Sequence, residues 1–261
     1  MNAIRLLEGR RALVTGASRG IGAEIARAMA RAGAAVVLAA RDEEALARVA
    51  AEIQSDGGRA VVAATDVSKP EAVERLVATT SDALGGLDIA VNNAAGGGHG
   101  PMPLTEVTED QFRSALAISL ESVFLSLKFE IPAMLESGGG AIVNMASTAG
   151  LEAVGGLTGY VAAKHGVIGL TKVAALDYAA QGVRVNAIAP GPILTERLEA
   201  AGEDAQRAAA DAMPMRRIGQ PIEVASAAVW LCSDQASFVT GTTLIIDGGK
   251  LAGVPPFTRP R

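Results

Sequence analysis

The chain has 261 residues, enough for one large α/β domain, with 49% apolar side chains but only 3% aromatic ones, so the core is expected to be aliphatic and tightly packed. A formal net charge of −5, with Lys and Arg scattered along the chain, leaves no basic face for nucleic acid. The single cysteine, Cys232 in V-W-L-C-S, excludes an internal disulfide and reads as a small buried apolar residue suited to a reducing compartment.

The opening M-N-A-I-R-L-L-E-G-R-R lacks the apolar core of a signal peptide. No apolar run approaches the roughly 20 residues that span a bilayer. The expectation is a soluble, cytoplasmic protein without membrane contact. Beyond that opening, short apolar runs alternate with Ala-rich helical patterns. The runs R-A-L-V-T, A-V-V-L-A-A, A-V-V-A-A-T, L-D-I-A-V-N, A-I-V-N-M-A, V-R-V-N-A-I-A and T-T-L-I-I-D are mostly apolar on both faces, as in a parallel sheet covered on both sides. Between them, GAEIARAMARAG, EEALARVAAEIQ and PEAVERLVATTSDALG carry helical periodicity and end at or near Gly. This alternation predicts a doubly wound α/β parallel sheet with helices on both faces, and no linker divides residues 1–261 into further domains. The Pro-rich tail, 254–261, is expected to pack on a surface or a neighbouring subunit.

The first strand runs into T-G-A-S-R-G-I-G, residues 15–22. Gly16, Gly20 and Gly22, with Ser18, Arg19 and Ile21 between them, permit a tight turn whose backbone N–H groups approach a pyrophosphate at a helix N-terminus. The end of the second strand should meet the adenosine ribose. There Asp42 reads either as an acid for the 2′-hydroxyl of NAD or as a helix N-cap in D-E-E-A. Arg41, paired with Arg19, reads as a two-guanidinium clamp on the 2′-phosphate of NADP, and NADP(H) is favoured over NAD(H). Asp66 and Val67, in A-T-D-V-S, are placed either at the adenine or at the start of the next helix.

The stretch G-Y-V-A-A-K holds Tyr160 and Lys164, four apart and hence on one helical face. An ammonium beside a phenol is expected to lower its pKa, as a general acid/base for alcohol–ketone interconversion requires. A bare Y-x-x-x-K reads as well as a half-buried tyrosine beside a solvated lysine. The glycine turn near the start, Ser147 closing a strand in I-V-N-M-A-S, and the thirteen positions from Ser147 to Tyr160 together point to chemistry.

This combination resembles the short-chain dehydrogenase/reductase family from about residue 9 to 249. T-G-A-S-R-G-I-G, D-V, N-N-A, S…Y-x-x-x-K, V-R-V-N-A-I-A-P-G, P-M-R-R-I-G-Q-P-I-E-V-A and I-D-G-G stand in family order. Within it, the chain is most similar to the 3-oxoacyl-acyl-carrier-protein reductases and their relatives. The resemblance implies a Rossmann-type fold and NADP(H)-dependent reduction of a ketone or oxidation of a secondary alcohol. It implies that Tyr160 exchanges the proton, that Lys164 lowers its pKa and binds the nicotinamide ribose, and that Ser147 holds the substrate oxygen. Asn93 and Ala94 would line the cofactor, Pro190, Gly191, Ile193 and Thr195 would bracket the nicotinamide, and Asn186 would brace the site.

Two positions depart from the family pattern: Ala95, where N-N-A-G is usual, and Ser119, where an asparagine commonly holds a water in a proton relay. A slower relay is expected from Ser119. The segment 194–217 corresponds to a helical lid, and Leu151, Glu152, Val154 and Leu157 suggest a mainly apolar pocket with one polar group. His99 and His165 belong to no metal-ligand cluster. A tetramer through the Tyr160-bearing helix and the I-D-G-G end is implied. The competing readings are a cofactor-binding sensor or scaffold without turnover, and an epimerase or dehydratase on the same fold.

Overall fold

Seven strands form one parallel sheet in the computed structural model, which describes residues 5–96 and 98–253; the Pro-rich tail lies outside them. They are β1 (Arg11–Thr15), β2 (Ala35–Ala40), β3 (Arg59–Ala64), β4 (Ile89–Asn92), β5 (Gly140–Met145), β6 (Val183–Pro190) and β7 (Thr243–Ile246). Their spatial order is β3-β2-β1-β4-β5-β6-β7. The chain starts mid-sheet, winds to one edge, then returns beside β1 and winds to the other. Where the order reverses, between β1 and β4, the loops diverge and open a crevice at the carboxyl ends of the strands.

Alternate strand residues feed two cores. On one face α1 (Gly20–Arg31), α2 (Glu43–Ser55) and α9 (Pro221–Cys232) bury Ile25, Leu46 and Val224 against Val14, Leu38 and Val143. On the other, α3 (Pro70–Leu84), α5 (Ser122–Glu136) and α6 (Thr158–Tyr178) bury Leu76, Leu127 and Val167 against Leu13, Val37 and Ile142. The largest fully buried side chains are Leu, Ile, Met and one lysine, as the low aromatic content requires. The inner strands are covered on both faces, whereas β3 and β7 are only partly covered because an edge strand has a neighbour on one side alone. Cys232 is buried, and burial pushes its thiol up to about 12, consistent with an inert apolar role.

Two local features bear on the site. The helix α4 (Glu109–Leu116), opened by a reciprocal Thr108–Gln111 capping box, passes into α5 through a π-helical turn at Ala117–Glu121 that carries Ser119. Beneath the crevice a buried polar chain crosses four elements. Asn92 of β4 donates through Nδ2 to Glu130 of α5 and to Asn144 of β5, each at 3.0 Å, and Asn144 donates to Thr171 of α6 at 3.0 Å. Asn92 and Asn144 are register partners, so the sheet itself sets their contact. Burial pushes the Glu130 carboxyl up to about 7, against the opposing pull of the Asn92 hydrogen bond.

Candidate active site

Every singled-out residue on a loop after a strand lies at the same edge of the sheet, past the carboxyl ends of β1 to β6. The glycine turn after β1 is packed too closely for side chains. A Cβ on Gly16 (φ +66°) would come within 2.8 Å of Asn93 Nδ2, and one on Gly22 would overlap the Gly16 carbonyl oxygen. Asn93 secures the turn by donating through Nδ2 to the carbonyls of Thr15 and Gly16 at 3.1 and 3.3 Å. Thr15 Oγ1 in turn accepts from the backbone N–H groups of Asn93 and Ala94. Helix α1 begins behind the turn with no acidic residue in its first turn and no side-chain cap from Arg19. Its Gly20 N–H donates instead to the carboxylate of Glu196, at 3.2 Å. A backbone cradle already holding an anion fits a dinucleotide phosphate.

At the ribose end, Asp42 is a helix N-cap: its Oδ1 accepts from Ala45 N–H at 3.0 Å, which engages the carboxylate in α2. Arg19 and Arg41 are exposed, and neither forms an ion pair among the described residues. Asp66 takes up its carboxylate locally, accepting from Ser68 N–H and Oγ, and these bonds hold it below the usual carboxylate range with help from nearby Arg41. Val67 is buried beside it.

Tyr160 and Lys164 project together from the first turns of α6. Tyr160 lies beside Ser147, whose Oγ accepts from Ala149 N–H at 3.1 Å. Lys164 is fully buried; its Nζ lies 5.6 Å from the Tyr160 ring centre and donates to the Met145 carbonyl at 2.6 Å. Gly150 admits this packing, since a Cβ there would sit 2.6 Å from the Lys164 carbonyl oxygen. Burial drives the Lys164 ammonium down to about 8. The phenol departs from expectation: burial raises its pKa above the ordinary value, outweighing the Ser147 hydrogen bond and the attraction of Arg197.

Ser119 is buried in the π-helical turn. Its Oγ donates to the Gly96 carbonyl at 3.1 Å and accepts from Gly96 N–H at 3.4 Å, tying the π-helical turn to the loop after β4. Pro190 and Gly191 leave β6 beside β7, Ile193 is buried and bridges to Gly219, and Thr195 opens α7 (Glu196–Ala200). Asn186 braces the sheet as expected, donating to the Val239 carbonyl and accepting from Thr242 N–H. The lid segment forms two short helices, α7 and α8 (Glu203–Asp211). Glu152 forms an ion pair with Lys250, so the pocket's polar group is neutralised from the far end of the chain. His165 is exposed, and no His/Cys/Asp/Glu cluster among the described residues could hold a metal ion. No described helix is long and apolar enough to cross a membrane. A separate cleft of about 490 Å³ opens at the opposite, amino-terminal end of β1–β3, far from Tyr160.

A family model described as enoyl-(acyl carrier protein) reductase matches residues 16–250, from the glycine turn to the residue after I-D-G-G. The chain belongs to the short-chain dehydrogenase/reductase family. Within that family it is 46% identical over 248 residues to an A-factor type γ-butyrolactone 1′-reductase (1S-forming) of Streptomyces virginiae, covering 94% of this chain and 96% of the relative. It is 43% identical to a cyclohexanol dehydrogenase of Acinetobacter sp. (strain SE19), over 91% and 93% of the two chains. Its fold superposes with a TM-score of 0.89 on a 7α-hydroxysteroid dehydrogenase solved with NADH and 7-oxo glycochenodeoxycholic acid, at 36% identity over 94% and 96% of the chains.

As a family member the chain has the fold that its motifs gave away. Two contacts did not show in the sequence: Glu196 on the glycine turn, and the Glu152–Lys250 pair. Each joins segments remote in sequence, and each residue reads locally as an ordinary surface charge of a helix or loop.

Proposed function

We propose that this short-chain dehydrogenase/reductase interconverts a ketone and a secondary alcohol with NADP(H), using Tyr160 to exchange the proton. The observation that carries the proposal is the placing of Tyr160 beside Ser147 and a fully buried Lys164, on the sheet edge that also bears the glycine turn. When bound, the nicotinamide supplies or accepts the hydride. Ser147 and Tyr160 are neighbours, so one carbonyl oxygen can meet both hydroxyls. Ser147 orients that oxygen, and Tyr160 delivers its proton to it during reduction. A buried phenol with a raised pKa retains its proton at neutral pH, the form that reduction consumes. Lys164 places a buried positive charge beside Tyr160 and would hydrogen-bond the nicotinamide ribose, while Pro190, Gly191, Ile193 and Thr195 would exclude water from one face. Ser119 contributes by fixing the loop at Gly96.

The cofactor assignment rests on Arg19 and Arg41, both exposed and free of ion pairs among the described residues, and on Asp42 being engaged as a cap. Gly16, Ser18, Gly20, Ile21 and Gly22 carry the pyrophosphate, Asn93 and Ala94 line the cofactor, and Asp66 and Val67 flank the adenine. The substrate is a bulky, mainly apolar ketone or alcohol: Leu151, Val154 and Leu157 are apolar, and Lys250 neutralises Glu152. The relatives named for a butyrolactone, cyclohexanol and a steroid point to the same class. Exposed Phe124, Val173 and Leu176 on α5 and α6, and Phe238 and Ile245 near β7, supply apolar faces for a homotetramer. A single buried cysteine suits the cytoplasm.

Thermal unfolding with NADPH, NADH or neither tests the reading. A ligand at about 100 times its Kd adds about 2.7 kcal/mol, or roughly 5–10 °C for a chain of this size. The expected result is a larger shift with NADPH, reduced to the NADH level in Arg41→Ala. No shift with either nucleotide overturns the proposal.

A further inference from the structure

The N-terminus of α1 lacks the complement that helices usually supply for themselves. Its first turn has no acidic residue, and Arg19 at the cap position gives no side-chain hydrogen bond. Unpaired N–H groups and the positive end of the helix dipole are left facing the crevice. The complement comes from a lid residue 176 positions away, Glu196, whose Oε1 accepts the Gly20 N–H at 3.2 Å. The approach is close: a Cβ on Gly20 would lie 3.3 Å from Glu196 Oε2 and 3.3 Å from Thr195 Cγ2. Gly20 therefore admits the lid as well as any ligand.

Glu196 opens α7, a five-residue helix, so this single contact ties that helix to the glycine turn.

We propose that Glu196 is an internal stand-in for a dinucleotide phosphate, holding α7 on the glycine turn until the incoming phosphate displaces it. The inference rests on the dinucleotide reading of that turn. Two anions cannot share one helix N-terminus without repulsion, so Glu196 competes with the cofactor, and its displacement releases α7 from the glycine turn.

The test uses the full chain with NADPH and NADH as probes. Calorimetric Kd values are measured for the wild type, Glu196→Gln and Glu196→Ala; Gln keeps the shape without the charge. Both variants should bind NADPH and NADH about three- to tenfold more tightly, as expected for removing one charge-assisted hydrogen bond that must be broken on binding. In the absence of nucleotide, trypsin should cut after Arg197 faster in Glu196→Ala than in the wild type, a readout independent of turnover. Unchanged or weaker binding in the variants, with normal wild-type binding, overturns the inference and leaves the dinucleotide reading standing. Failure of the wild type itself to bind either nucleotide overturns both.

Discussion

Glu130 offers a pH-dependent prediction that its surroundings quantify. The carboxyl is fully buried, accepts one hydrogen bond from Asn92 Nδ2, and titrates at about 7 in the fold against 4.5 for an ordinary glutamate. A raised carboxyl pKa means the native state retains a proton that the unfolded chain gives up. The corresponding stability is fully present below about pH 4.5 and is lost as pH rises through about 7. A difference of some 2.5 pH units amounts to about 3 kcal/mol in total, with about 2 kcal/mol of it lost between roughly pH 5 and pH 8. In Glu130→Gln the amide oxygen still accepts from Asn92, but nothing at that position ionises. Its N–H₂ also adds a donor to a network in which Asn92 Oδ1 has no partner among the described residues. Urea unfolding at the two pH values should show wild-type stability falling by about 2 kcal/mol more than that of Glu130→Gln. In thermal scans the variant should gain roughly 4–8 °C over the wild type on going to the higher pH. Parallel pH dependences for the two proteins would refute the argument and place the proton elsewhere.

Two further outcomes follow from the site. Tyr160→Phe should lose turnover by roughly a thousandfold yet keep the full NADPH-dependent rise in melting temperature; retained turnover would remove Tyr160 from proton transfer. Lys164→Met should abolish turnover while stabilising the fold by about 1 kcal/mol near pH 7. Burial disfavours the ammonium, lowering its pKa from 10.5 to about 8, so stability from this group is full above about pH 10.5 and lost as pH falls through about 8. Removing the charge lifts a cost of about 3 kcal/mol near neutrality, partly offset by leaving the Met145 carbonyl without its donor. Equilibrium unfolding decides the point, and a destabilised Lys164→Met would show that the buried ammonium contributes net stability.

The strands were legible because each is a local statement. R-A-L-V-T and A-V-V-L-A-A coincide with β1 and β2, and the remaining strand runs agree within about two residues. Asp42 carried both of its readings in its neighbours, D-E-E-A, and the fold shows it capping α2. The lid reads as helical from its Glu and Ala content, but its division into α7 and α8 did not show. Glu130 was silent for a different reason. In F-E-I-P-A-M-L-E it occupies an ordinary helical position, and only the packing of α5 over Asn92 makes it a buried acid.

Sequence alone determined the alternation of strand and helix, the glycine turn and the one-face pairing of Tyr160 with Lys164, because periodicity, steric allowance and helical spacing act over a few residues. Tertiary structure decided the protonation of what those elements buried. It set the Tyr160 phenol high, turned the Lys164 ammonium toward Met145, raised Glu130, and laid Glu196 on the glycine turn. Charge state depends on desolvation and on partners brought together from distant segments, which no local pattern encodes.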